Sequence, residues 1–138
     1  MDTYFYVLLL SMLHPHLSAI MRQTVALQTA SGYTFFPIAD ILYFRANDKQ
    51  AIVVMKESLA KPNGETKQYN VFRTLKDLET ALSAAGFLRI RRDILLNSMN
   101  IKSVSKEHAI VLCTGEVVYP SRERIKAVDI YLKRFFYI

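Results

Sequence analysis

From Thr24 onward, apolar and polar residues alternate in short runs separated by turn residues, the pattern of β-strands packed on one face. Thr24–Thr29 and residues 33–36 flank Ser31-Gly32 and predict a hairpin, closed by Pro37. After the short connection Ile38–Asp40, residues 41–45 and 51–55 predict two more strands around the polar tip 47–50. The four side chains of that tip are expected to project beyond the sheet. Residues 61–65 give another turn signal, and residues 67–72 the next strand.

One segment has a helical period instead. Leu75, Leu78 and Leu82 share a face, Thr74 and Asp77 stand at capping-box spacing, and Gly86 ends the run, which predicts a helix over 75–85. Strands at Phe87–Arg91 and 94–96 follow, then a hairpin of 109–114 and 117–119 turning at Gly115-Glu116. Ser121 is the expected N-cap of a last helix over 121–136, with Ile125, Val128, Leu132 and Phe135 or Phe136 as its apolar stripe. The fold class expected is mostly β (α+β), short strands and hairpins with two helices.

Residues 1–23 read differently. The apolar run 4–13 is interrupted by His14-Pro15-His16 before a second run at 17–21. The longer run is about half of what a membrane-spanning helix requires, and the basic region that opens a secretory signal is missing. An apolar helix is expected there, serving dimerisation, docking to a membrane-bound inhibitor or membrane contact through residues 1–21. Residues 24–138 then make one folded domain. With 138 residues and 51% of them hydrophobic, the chain needs no disulfide or metal staple. Its one cysteine, Cys113, lies in the apolar run 109–114, where it reads as a small buried hydrophobe. A lone cysteine suits the cytoplasm.

Charge changes the picture more than composition does. The net charge is +6, and residues 1–65, with five Lys/Arg and five Asp/Glu, contribute none of it. Residues 66–138 hold thirteen and seven, and their arginines cluster at Arg89-Ile90-Arg91-Arg92 and at Arg122-Glu123-Arg124. A basic surface confined to one part of a small domain suits a polyanion, nucleic acid foremost. An acidic protein or an anionic membrane surface is the alternative partner. In a strand, Phe87, Arg89 and Arg91 share one face and Leu88 and Ile90 the other, so the arginines are expected to point outward. The alternative is that either Arg89 or Arg91 pairs internally with Asp93 or Glu79. Arg122 follows the expected N-cap, where the helix dipole disfavours a cation, so an anion is expected nearby.

Enzyme chemistry has little to work with. His14, His16 and His108 stand at no spacing that suggests a nucleophile and base, and His108 reads as an exposed turn residue. No metal-ligand spacing occurs, and the glycines at 32, 64, 86 and 115 are scattered singly rather than gathered in a phosphate loop. No enzyme activity, metal or cofactor is expected.

Taken in order, several motifs resemble one family. These are Ile41-Leu42-Tyr43-Phe44, Leu75-Lys76-Asp77-Leu78-Glu79, Phe87 with Arg89-Ile90-Arg91-Arg92-Asp93, Leu95-Leu96-Asn97, Ile101, and Tyr119-Pro120-Ser121-Arg122. Their order and spacing over about residues 24–136 resemble the LytTR DNA-binding domain of bacterial transcription regulators. Arg91 replaces the family's usual histidine and Asp93 its usual serine, while Ala51 follows the tip where an aromatic or polar residue is frequent. The resemblance implies an elongated fold of small antiparallel β-sheets whose loops, rather than a recognition helix, enter successive major grooves of double-stranded DNA at paired, bent direct repeats. Carried over, Arg122, Arg92 and Arg91 are expected to contact bases, since a guanidinium fork matches the acceptors of guanine. Asn47, Lys49, Gln50, Arg89, Ser121 and Arg124 are expected to contact the backbone. Without room for a receiver domain, the chain reads as a one-component regulator.

Overall fold

Four consecutive buried residues, Ile41, Leu42, Tyr43 and Phe44, mark the strand on which the fold is built. A strand turns alternate side chains to opposite faces, so a run buried throughout needs cover on both. The structure, a computed structural model, describes residues 24–56 and 67–136; the expected leader helix and the turn at 61–65 lie outside them. The described strands are β1 (Thr24–Thr29), β2 (Gly32–Pro37), β3 (Ile41–Asn47), β4 (Gln50–Met55), β5 (Gln68–Val71), β6 (Phe87–Arg91), β7 (Ile94–Asn97), β8 (Ile101–Val104), β9 (Ile110–Leu112) and β10 (Val117–Val118). Helix α1 spans Leu75–Leu82 and α2 spans Ile125–Phe136.

Strands β5-β4-β3-β7-β6 form a five-stranded antiparallel sheet with β3 at its centre. One face packs against the β1–β2 hairpin, through Leu27 and Phe36, and against Leu75, Leu78 and Leu82 of α1. The opposite face packs against the β8–β9–β10 sheet and α2, through Ile110, Leu112, Val118 and Val128. A register shift between Ile41 and Tyr43 breaks the alternation, so Leu42 and Tyr43 both join the second layer. Burying each α1 leucine contributes about 1.5–3 kcal/mol, which makes this helix a firm anchor despite its length.

Two asparagines lock the entry to β3. Asn97 Nδ2 donates to the carbonyls of Ile38 and Ile41, each at 2.9 Å, and its Oδ1 accepts from the Met99 amide at 3.1 Å. Asn100 Nδ2 donates to Ala39 O at 3.0 Å and Ile41 O at 2.7 Å. Both residues are buried. The short 3-10 turn Ile38–Asp40 before β3 is thereby tied to the 3-10 turn Ser98–Asn100 after β7.

Several expectations need correction. The helix expected over 75–85 is α-helical only to Leu82, then a 3-10 turn over Ser83–Ala85 ends at Gly86, whose φ of 91° is left-handed. The last helix begins at Ile125 rather than 121, after a 3-10 turn at Arg122–Arg124, and Ser121 makes no side-chain cap. The Ser121 amide donates to Ile90 O at 2.9 Å, tying this segment to β6. Cys113 is exposed, because Ile110 and Leu112 take the inward positions and the strand stops before it. At the tip, Asn47 and Gln50 pair as the last strand residues, so only Asp48 and Lys49 form the turn. Asp48 takes a φ of 56°, a left-handed conformation that aspartate tolerates. Strand β8 lies outside the expected elements, its residues after Ile101 all being exposed.

Candidate nucleic-acid interface

Antiparallel pairing brings the β3–β4 tip and the β6–β7 turn to the same end of the five-stranded sheet. Arg45 pairs with Ile94, and Asn47 with Gln50, so both turns leave the sheet there. The Ala46 amide donates to Asp93 O at 2.9 Å, joining the base of the tip to the second turn. Arg91 Nη1 donates to Tyr119 O at 3.4 Å, and with the Ser121–Ile90 bond it fastens the 119–122 segment alongside. Three segments far apart in sequence thus meet at one edge of the molecule.

The predicted site residues divide according to what their side chains already hold. Lys49, Arg92, Arg122 and Arg124 are exposed, and no ion pair or hydrogen bond joins their side chains to other described residues. Asn47 Nδ2 donates to Asn70 Oδ1 at 3.3 Å, while Gln50 is exposed beside it. Arg91 donates from Nε to Asp93 Oδ1 at 3.2 Å, so this acidic residue within the cluster is matched by its neighbour. Ser121 is half-buried, with its backbone committed to Ile90.

Arg89 stands apart. Its side chain is only 16% exposed, and Nη1 lies 3.2 Å from Glu79 Oε2 of α1. Nε donates to Arg91 O at 3.0 Å and Nη2 to Arg92 O. The expectation of an outward-pointing face fails here because both faces of β6 are covered: Phe87 joins the first core and Ile90 the second. A register shift between Arg89 and Arg91 then releases Arg91 to solvent.

Sequence reasoning missed two contributors. Arg73 is exposed two residues beyond Val71, which pairs with Ala51, so it leaves β5 at the end where the tip lies. Its only sequence signal was its charge. Tyr119, 56% exposed, supplies the carbonyl that Arg91 grips, and a backbone acceptor leaves no trace in a sequence.

Behind the edge, Tyr43 Oη donates to Glu116 Oε1 at 2.8 Å, linking the central sheet to the β9–β10 turn. Burial, reinforced by that carboxylate, pushes the Tyr43 phenol up to about 12. Among the described residues no cluster of His, Cys, Asp and Glu is placed to hold a metal, and no helix is long and apolar enough to cross a membrane.

No curated protein matches the chain at a significant level. The structure is similar to a solved LytTr DNA-binding domain from Bacillus cereus, with a TM-score of 0.64 at 22% identity, covering 80% of this chain and 96% of that one. That likeness concerns the fold. The family model described as the LytTr DNA-binding domain matches residues 31–133, which take in the tip, the arginine turn and the 119–122 segment alike. The chain therefore belongs to the LytTR family, the DNA-binding domains of transcription regulators.

Proposed function

We propose that this chain binds double-stranded DNA sequence-specifically and regulates transcription by inserting the 47–50, 91–93 and 119–122 segments into successive major grooves. The observation that carries this reading is the gathering of those segments at one edge, with Lys49, Arg92, Arg122 and Arg124 unpaired among the described residues. Cations without internal partners at a shared edge are available to phosphates and base edges.

The roles follow from what each side chain has free. Arg122 is the principal base reader and Arg92 the second, because both have a whole guanidinium fork for the O6 and N7 acceptors of guanine. Arg91 has committed nitrogens to Asp93 and Tyr119, so it reads a base with what remains. Lys49, Arg124, Asn47, Gln50 and Ser121 contact the backbone, joined by Arg73. Arg89 is left out of that group, since each nitrogen of its guanidinium faces an acceptor inside the protein. Paired direct repeats, bent so that two copies of the edge engage adjacent grooves, are the site this arrangement suits.

Arg122→Ala tests the assignment. Binding to the preferred duplex is expected to weaken by about 1–3 kcal/mol, with discrimination relaxed at a single base position. Equal weakening on every sequence would make Arg122 a phosphate contact, and no weakening would remove it from the interface.

A further inference from the structure

We infer that Arg89 and Glu79 form a positioning bracket that sets the backbone of the arginine turn for DNA reading, while Arg89 itself touches no DNA. The inference rests on the DNA-binding reading above and assigns a part of its machinery. Arginine carries five donors on a rigid plane, so it can hold several acceptors in fixed relation where lysine holds them only through one atom. Here the plane meets three acceptors: Glu79 Oε2 at 3.2 Å, Arg91 O at 3.0 Å and Arg92 O. Two successive carbonyls of the reading turn are thus held by one side chain.

The other end of the bracket is equally well founded. Glu79 lies on α1 between Leu78 and Leu82, both buried in the first core, so its carboxylate sits on an anchored element. The chain of contacts runs from core to helix, from helix to Arg89, and from Arg89 to the backbone that carries Arg91 and Arg92. Beyond that backbone, Arg92 keeps its side chain unpaired among the described residues. Fixing the peptide planes beneath it limits the directions that side chain can take, and so lowers the ordering cost of binding.

Glu79 gives the test its sharp edge. As a charge alone it repels DNA, so removing it should tighten binding to every duplex; as half of a bracket, its removal should loosen the specific complex. Full-length Glu79→Ala and Arg89→Lys are titrated with a preferred duplex and a scrambled one at two salt concentrations, and amide exchange at 91–93 is followed in the free proteins. Both substitutions suit folding, because alanine favours the helix and lysine keeps the positive charge.

The bracket predicts about a five- to tenfold loss on the preferred duplex in each variant, the effect of losing a charge-assisted hydrogen bond. Binding to the scrambled duplex and the salt slope should hold, and amide exchange at 91–93 should quicken. Tighter binding of Glu79→Ala to both duplexes would overturn the proposal, as would unchanged affinity and discrimination in Arg89→Lys. A purely structural pair would lower the unfolding midpoint and leave discrimination by the folded protein intact, which also overturns it. If the wild type itself ignores sequence, the DNA reading fails and takes the bracket's role with it, whereas a discriminating wild type whose two variants keep that discrimination overturns the bracket alone.

Discussion

Replacing Asn97 by alanine should destabilise the domain by about 2–4 kcal/mol. The side chain is fully buried and makes three hydrogen bonds, donating to Ile38 O and Ile41 O and accepting from the Met99 amide. Neither carbonyl would be orphaned, since Ile38 O keeps the Ile41 amide and Ile41 O keeps Asn100 Nδ2 at 2.7 Å. The Met99 amide would lose its acceptor. Three net bonds at about 1 kcal/mol each, with a small cavity added and the surviving partners subtracted, give that range. Urea unfolding measures it as a lower midpoint at unchanged slope. A loss below about 0.5 kcal/mol would refute the idea that this asparagine locks the entry to β3. Asn97→Asp sharpens the case, because a carboxylate there faces two carbonyls and cannot donate when ionised. Burial raises its folded-state pKa above the unfolded value, so stability is fullest below about pH 4 and is lost as pH rises through the folded pKa. A variant equally stable at pH 4 and pH 7 would contradict that reasoning.

Further outcomes can be checked with the same protein. Tyr43 has a folded-state pKa of about 12, above its unfolded value of 10.0, so its contribution is whole below pH 10 and is lost as pH climbs toward 12; Tyr43→Phe should flatten unfolding midpoints across that window. Gly86→Ala should cost about 1–2 kcal/mol in urea unfolding, since φ is +91° and an added Cβ would lie 3.2 Å from Ser98 Oγ. Asp93→Asn removes a negative charge from the basic edge and releases Arg91, so fluorescence titration should show tighter binding to all duplexes. Weaker binding would mean that the carboxylate holds the turn in its reading geometry.

The sequence carried the local elements well where their periods were plain. Alternation placed β1, β2 and β4 within a residue or so, and the Leu75, Leu78, Leu82 stripe placed α1. The motif order also named the family, because Phe87, the arginine run, Asn97 and Ser121-Arg122 keep their spacing. What failed depended on long-range packing. Cover on both faces of β6, with a bulge at Ile90, turned Arg89 inward, and no local pattern signals either event. Strand β8 was hidden because Lys102, Ser103 and Val104 are exposed and give no buried stripe. The late start of α2 reflects the 3-10 turn at Arg122–Arg124 that precedes it, in which the Arg124 amide donates to Ser121 O and the Ser121 hydroxyl caps nothing. Within the candidate site, the charges were legible, but which arginine was free and which was spent on the fold was not.

The proposed reader of DNA sequence is the edge formed by the tip, the arginine turn and the 119–122 segment. The test is to titrate the whole chain with labelled duplexes from its own upstream region, intact and scrambled, at two salt concentrations. Binding at least about a thousandfold tighter to an intact paired repeat than to its scrambled counterpart is expected, with both weakening as salt rises. Equal affinity for the two duplexes at both salt concentrations would contradict that role for the edge.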